Sequence, residues 1–290
     1  MPSVKDQPPL DKLRAIALEA AQDTGAVLLK HFGRKLKIRE KKGAGLVTNA
    51  DIEAERAALR VLRRDREFRD FKILTEESAP DIAASQGPAR WIMDPLDGTT
   101  NFVHRFPMFC VSIAAEWRGQ VVVGVIYHPI LGDTYIAVRG KGAFLYQGTH
   151  GKLGKMGKTG RRLHASHTTR IQDSLLTTGF TYGRDDWLKM EMHAFQRISQ
   201  MARAVRRPGS ACLDLAYTSR GVFDGFWERR LSPWDVAAGS ILVSEAGGLV
   251  TDFGGNPFHV EMKEILAAGP KVHSLLRQVI APQFVHAEGR

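Results

Sequence analysis

Cysteine is nearly absent from this chain: 290 residues hold two, Cys110 and Cys212, far apart and each inside an apolar segment. A disulfide framework and a zinc site of the CxxC type are thereby excluded, and reduced, buried thiols in a cytoplasmic protein are expected. Long hydrophobic runs are missing too. No stretch approaches the ~20 apolar residues of a membrane span, and the first 32 residues scatter acids and bases through their apolar positions, unlike a signal peptide. Acidic residues are outnumbered, 31 Asp and Glu against 41 Lys and Arg, and the net charge of +10 favours anionic partners without separating phosphate esters from nucleic acid. What the chain has in quantity is apolar surface: 43% hydrophobic residues allow a substantial core in one large domain or two moderate ones. No solenoid-type repeat is present.

The basic residues fall into three clusters. Arg34-Lys35-Leu36-Lys37-Ile38-Arg39-Glu40-Lys41-Lys42 is one, and Arg203 with Arg206-Arg207 is another. In the third, Gly148, Gly151, Gly154, Gly157 and Gly160 recur every third residue with Lys152, Lys155 and Lys158 between them. The run is too short and too poor in proline for collagen; it reads as a flexible basic loop, with a nucleic-acid contact as the alternative.

Leu10, Leu13, Ile16, Ala17, Ala20, Val27 and Leu28 have helical spacing, which predicts an amphipathic helix over 10–32. A second helix begins near Asp51, after Val47-Thr48-Asn49-Ala50. Phe71–Leu74 and Trp91–Met93 suit short strands, each ending in acids, at Glu76-Glu77 and Asp94. Residues 109–117, 120–127 and 134–138, separated by Arg118-Gly119 and by Pro129 to Asp133, read as an antiparallel meander. Beyond the basic loop, strands are expected at 174–178 and 223–228 and helices at 186–204 and 211–219. Ser232-Pro233-Trp234-Asp235 opens a further helix, with Ser at the cap, Pro in the first turn and an acid three residues on; Gly247-Gly248 ends it. The expected class is α/β with an α+β N-terminal part, divided into a subdomain at 1–147, the basic loop at 148–162 and a second subdomain at 163–290.

The chemistry is concentrated in Trp91-Ile92-Met93-Asp94-Pro95-Leu96-Asp97-Gly98-Thr99-Thr100-Asn101-Phe102. Asp-Pro and Asp-Gly pairs also form plain turns. Here, however, Gly98 lets backbone approach a ligand, and Thr99 and Thr100 fall where a helix would start with unpaired N–H groups, which makes an anion cradle beside two carboxylates. Anion and carboxylates repel unless divalent cations lie between them, and hard cations such as Mg²⁺ take oxygen ligands. Glu76-Glu77 also fits a solvated loop pair, and Asp51 and Asp235 also fit simple helix caps.

The segment 91–102 closely resembles the first signature of the inositol monophosphatase family, and Trp234-Asp235-Val236-Ala237-Ala238-Gly239, continuing to Glu245-Ala246-Gly247-Gly248, resembles its second. Leu46-Val47-Thr48-Asn49-Ala50-Asp51, Thr75-Glu76-Glu77-Ser78 and Gly209-Ser210-Ala211 follow the family's order, and Arg206-Arg207-Pro208-Gly209-Ser210-Ala211 with Leu213-Asp214-Leu215-Ala216-Tyr217 is similar to its bacterial inositol-1-monophosphatase branch. The resemblance implies a layered αβαβα sandwich of the sugar-phosphatase type with two subdomains. It implies two to three Mg²⁺ ions: one held by Glu76, Asp94 and the Leu96 carbonyl, a second by Asp94, Asp97 and Asp235, and a weaker third assisted by Glu76. It makes Thr99 with Asp51 the pair that orients and deprotonates the attacking water, Asp51 then being general-base support rather than a cap. Gly98 and Thr99 N–H groups would bind phosphate, and Asp97, Gly209, Ser210, Ala211 and Glu228 would meet the substrate. Glu228 matches a glutamate that accepts from inositol hydroxyls, although a strand-end acid paired with Arg229 or Arg230 fits as well. Gly45, where relatives often carry an acidic or amide residue, and the 148–160 stretch, which resembles an insertion, are departures from the pattern.

The activity so implied is Mg²⁺-dependent hydrolysis of inositol 1-phosphate, lithium-sensitive, in a cytoplasmic homodimer. Histidinol phosphate, fructose 1,6-bisphosphate and 3'-phosphoadenosine 5'-phosphate are the alternative substrates. An RNA- or transcription-associated role, as some bacterial relatives have, is the reading from another class, and the charge of +10 is compatible with it.

Overall fold

The computed structural model describes residues 9–41, 45–78, 81–83, 85–148, 160–180 and 185–284. In chain order the elements begin with α1 (Leu10–His31), the hairpin β1 (Ile38–Lys41) and β2 (Gly45–Thr48), and α2 (Asn49–Leu62). A seven-stranded sheet follows: β3 (Lys72–Thr75), β4 (Ala89–Asp97), then, after the one-turn α3 (Thr99–Val103), β5 (Cys110–Trp117), β6 (Gln120–His128), β7 (Asp133–Val138), β8 (Gly142–Tyr146) and β9 (Arg161–Arg162). The remainder comprises β10 (Leu175–Thr178), α4 (Asp186–Met201), β11 (Ala204–Arg206), α5 (Ala211–Ser219), β12 (Gly225–Arg229), α6 (Pro233–Glu245), β13 (Leu249–Thr251), β14 (Glu264–Ala268) and α7 (Pro270–Phe284).

The first sheet runs in sequence order from β3 to β9, antiparallel throughout except for the parallel pair β3–β4. This is the meander read from the turn residues, extended at both edges. The second sheet has the order β11-β10-β12-β14-β13, parallel at β11-β10-β12 and antiparallel beyond. Helices α1 and α2 cover one face of the first sheet, α5 and α6 fill the space between the sheets, and α4 and α7 cover the outer face of the second. The layering is therefore helix, sheet, helix, sheet, helix, as the resemblance implied.

The middle layer depends on α6 having no polar face. Val236 to Val243 are all buried, because one side meets the first sheet and the other α5 and the second sheet. On the β6 side the approach is so close that a Cβ on Gly124 would stand 2.7 Å from the Ala238 carbonyl oxygen. Since α6 begins at Ser232-Pro233, this contact fixes Asp235 against the end of β4.

Several element boundaries differ from expectation, and the strand expected over 91–93 runs from Ala89 to Asp97, so that both acids lie within it. The helix predicted over 186–204 stops at Met201, because Ala204–Arg206 is drawn into the second sheet beside β10. The strand predicted over 223–228 starts at Gly225; Asp224 instead accepts from the N–H of Leu175, the first residue of β10. Hairpin β1–β2, strands β8, β9, β13 and β14 and helix α7 were not anticipated. Residues 149–159 of the basic loop lie outside the described residues, as does Lys42. Among the described residues, no helix is long and apolar enough to cross a membrane.

Candidate active site

The backbone of β4 brings Asp94 and Asp97 to the same side. In a regular strand, residues three apart point to opposite faces. Pairing along β4 and β5 matches Asp94 with Ser112 and Asp97 with Cys110, so three steps on β4 face two on β5. This bulge at Pro95-Leu96 turns both carboxylates to one side. Asp94 Oδ1 accepts from the Leu96 N–H at 2.9 Å, which locks the bulge.

Gly98 then turns the chain with φ +95°, and a Cβ there would lie 2.8 Å from the Met108 carbonyl. Phe102 and Phe109, with Phe32 from the end of α1, pack behind α3 with centroids 4.9 to 5.5 Å apart. Asn101 Nδ2 donates to Met108 O at 2.7 Å and to Pro208 O at 2.9 Å, tying this turn to the segment before α5.

Asp235 arrives from the opposite half. Its Oδ2 accepts from the Ser232 N–H at 2.7 Å, completing the capping box expected from the sequence. Asp94, Asp97 and Asp235 each bring one oxygen within 4.8 Å of the others. Glu76, on the turn after β3, lines the same cavity of about 700 Å³, together with Leu96, Gly98, Thr99, Gly209, Ser210, Ala211 and Glu228.

Asp51 stands behind Thr99. Its Oδ2 accepts from Thr48 N and Thr48 Oγ1 at 2.8 and 2.6 Å, while its Oδ1 accepts from Thr99 Oγ1 at 3.0 Å. Asp51 therefore does cap α2, with one oxygen, where a residue serving Thr99 rather than the cap was expected; its other oxygen is held by the Thr99 hydroxyl. The Thr99 hydroxyl also lies 3.2 Å from the Leu96 carbonyl, a second acceptor for its proton. Asp97 Oδ2 accepts from Ser210 Oγ at 2.6 Å and Cys212 N at 2.8 Å, so the Ser210 hydroxyl, which caps α5, is turned to Asp97.

Glu228 is not held by its sequence neighbours. Arg229 pairs with Glu264 at 3.1 Å and stacks on Trp187, and Arg230 pairs with Asp185 at 2.6 Å. The Glu228 carboxylate lies against the backbone of Gly179, where a Cβ would overlap it.

Electrostatics set this cluster apart from a solvated acidic patch. Burial, then the Glu76, Asp97 and Asp235 carboxylates, push Asp94 well above the ordinary range. Burial and Asp97 do the same to Asp235, while burial followed by Asp214, Asp235 and Asp97 raises Glu228. Asp97 is raised by burial against the opposing hydrogen bonds of Ser210 and Cys212. Mutually repelling, buried oxygen donors from three segments are the donor set a hard divalent cation takes, so the residues fit Mg²⁺.

The sign of the pH dependence follows. These carboxyls bind protons more tightly folded than unfolded, so above the unfolded pKa of about 4 the metal-free protein loses stability as pH rises toward the folded values. In chelator the melting temperature is expected to be higher at about pH 5 than at about pH 8, and Mg²⁺ should raise it most at the higher pH. The reverse order in thermal melts would contradict this electrostatic account.

Sequence reasoning missed Glu55. This buried carboxylate accepts from Thr75 Oγ1 at 2.9 Å and from the N–H groups of Glu77 and Ser78 at 3.1 and 3.3 Å, bracketing Glu76. Its only signal was a place four residues after Asp51, on the same helical face. Asp214 was also missed; buried, raised by burial and partnered by Thr177 Oγ1 at 2.9 Å, it lies behind Glu228.

Residues 9–286 match the model of the inositol monophosphatase family. A protein of Synechocystis named inositol-1-monophosphatase is 38% identical over 272 residues, 93% of this chain and 89% of its own. The Nus factor SuhB of Pseudomonas aeruginosa is 37% identical, covering 93% of this chain and 96% of its own. Among solved structures, the extragenic suppressor protein SuhB of Bartonella henselae superposes with a TM-score of 0.80 at 36% identity, over 91% of this chain and 96% of that one. The Thermotoga maritima IMPase does so with a TM-score of 0.81 at 31% identity, over 95% and 99%.

Proposed function

From the premise that this chain belongs to the inositol monophosphatase family, we propose that it is a Mg²⁺-dependent phosphomonoesterase hydrolysing inositol 1-phosphate to inositol and phosphate. The observation that supports this reading most is the convergence of Asp94, Asp97 and Asp235 beside the Thr99–Asp51 pair. Glu76, Asp94 and the Leu96 carbonyl would hold one ion, Asp94, Asp97 and Asp235 a second, and Glu76 would assist a third. Bound there, Mg²⁺ supplies charge neutralisation on the transferring phosphoryl group and acidifies the attacking water.

The protein's own groups do the rest. Thr99 Oγ1 gives its proton to Asp51 Oδ1, which leaves its lone pairs to orient the attacking water and receive its proton. Gly98 and Thr99 N–H groups, at the start of α3, bind phosphate oxygens. Gly209, Ala211 and Glu228 face the alcohol, Glu228 accepting from its hydroxyls; Ser210 lines the same pocket while its hydroxyl orders Asp97. The proposal includes a cytoplasmic homodimer and lithium sensitivity.

Phosphate release from inositol 1-phosphate, with Mg²⁺ and with chelator, tests the reading beside histidinol phosphate, fructose 1,6-bisphosphate and 3'-phosphoadenosine 5'-phosphate. Preference for another ester replaces the substrate and keeps the chemistry. No Mg²⁺-dependent release from any ester overturns the proposal.

Glu55 brings a separate expectation. Glu55→Ala frees the turn carrying Glu76 and should raise the Mg²⁺ needed for half-maximal turnover by about tenfold or more, with Glu55→Gln milder. Unchanged Mg²⁺ titration in the alanine variant would remove Glu55 from the site.

A second reading rests on α2. Arg56, Arg60 and Arg63 are exposed at helical spacing and form a basic row, and relatives named Nus factor SuhB are 36 to 37% identical. RNA binding that weakens steeply with salt and survives Asp97→Asn would support a transcription-associated role.

A further inference from the structure

The two cysteines, far apart in sequence, meet in the fold. Cys110 opens β5 and Cys212 lies in the first turn of α5, both fully buried and free. Their sulfurs and one oxygen of Asp97 lie within 4.8 Å of one another. Cys110 Sγ is 3.8 Å from Asp97 Oδ2 and 3.8 Å from Ser210 Oγ, and Cys212 Sγ is 3.1 Å from the Asp235 carbonyl oxygen. We propose that Cys110, Cys212 and Asp97 form a closed binding site for a thiophilic divalent cation of the Zn²⁺ or Cd²⁺ class, directly behind the proposed Mg²⁺ ligands.

The donor chemistry distinguishes this site from the one in front of it. Asp94, Asp97 and Asp235 present oxygen alone, which suits Mg²⁺; two sulfurs with one carboxylate suit a softer ion. Two ligands of one tetrahedral zinc, at about 2.0–2.3 Å from it, stand about 3.5–3.8 Å apart, so a spacing within 4.8 Å needs a contraction of at most about 1.3 Å. Ser210 Oγ, 2.6 Å from Asp97 Oδ2 and 3.8 Å from Cys110 Sγ, would supply the fourth donor. Closed four-donor sites of this kind are structural rather than catalytic. Entry is from the cleft, which Asp97 and Ser210 line.

Binding exchanges two thiol protons for the cation and forms two metal–sulfur bonds, with the protons released to solvent. It draws Asp97 Oδ2 away from Ser210 and Cys212 N, the contacts that hold the carboxylate toward Asp94 and Asp235. The cation therefore competes with Mg²⁺ chemistry through Asp97 without occupying the cleft.

Cd²⁺ is the probe, added to the full chain in excess Mg²⁺. The expected result is a thiolate-to-Cd²⁺ charge-transfer absorption saturating near one equivalent per chain and absent in Cys110→Ala/Cys212→Ala. Phosphatase activity in that double variant should tolerate about tenfold or more Cd²⁺ beyond the level that inhibits the wild type. Should the double variant fail to fold, Cys110→Ser and Cys212→Ser, one at a time, serve the spectral measurement. No absorption in the wild type, or equal Cd²⁺ sensitivity with and without the thiols, overturns the proposal. So does closure of a Cys110–Cys212 disulfide by diamide in a protein that gives no Cd²⁺ absorption, which would make the pair a redox device. The inhibition measurement rests on the phosphatase reading and the spectral one does not, so the two failures are distinguishable.

Discussion

Asp97→Asn is expected to lower kcat by about 10³-fold, or about 4 kcal/mol of transition-state stabilisation, while leaving the fold intact. Asp97 has two tasks that the substitution separates. Its Oδ2 accepts from Ser210 Oγ and Cys212 N, and an asparagine oxygen can accept from the same donors. The other side of the carboxylate belongs to the cluster with Asp94 and Asp235, where an amide brings N–H donors in place of charge and repels a cation. Removing one buried negative charge also relieves repulsion on Asp94 and Asp235. The variant should therefore melt in chelator no lower than the wild type, and gain less from Mg²⁺. Turnover close to wild type would sink the assignment of Asp97 to the ions, whereas a collapse of the fold would mean that the residue serves the core first.

Much of this site was legible because its ligands sit beside residues with strong local meaning. Pro95 and Gly98 mark backbone that is not ordinary strand, and the bulge and positive φ they permit are what aim Asp94 and Asp97. Ser232-Pro233 announces a helix start, and the structure sets Asp235 there. Glu55 was not legible because an acid on a helix reads as solvated unless its partners are known, and those partners, Thr75, Glu77 and Ser78, come from another element. The cysteines were read correctly as buried thiols, but their proximity depends on α5 packing against the start of β5, which no local spacing encodes.

The fold shows the same division. The meander was readable from alternation and turn residues, since its neighbours in sequence are its neighbours in space. Hairpin β1–β2 was hidden by its own composition: Ile38-Arg39-Glu40-Lys41 is charged enough to pass for a basic loop. The second sheet was only half readable because β14, five residues long, is inserted between β12 and β13. Helix α7 buries Val272, Leu276, Val279 and Ile280 on one face, a spacing that Pro282 cuts short.

Asp51 and Thr99 should behave as one unit, and that is the sharper test of the proposed chemistry. Asp51→Asn and Thr99→Val are each expected to lower kcat by about 10²- to 10³-fold, and the double variant by little more than the worse single change. The reason is geometric and chemical: the Thr99 hydroxyl can pass its proton on only to a base, which Asp51 Oδ1 is and the Leu96 carbonyl is not, so losing either partner removes the same function. In Asp51→Asn an amide oxygen turned toward Thr48 still accepts from its N–H and hydroxyl, so the cap on α2 weakens by about 1 kcal/mol at most while the face toward Thr99 loses its acceptor. Burial holds the Asp51 carboxyl above its usual pKa, against the hydrogen bonds from Thr48 and Thr99 that lower it. The acid limb of the kcat profile should accordingly lie above the pH at which a free aspartate titrates, and flatten in Asp51→Asn. Additive losses, with the double variant slower by the product of the two single effects, would mean that the two residues act separately and that Asp51 is a cap which happens to touch the site.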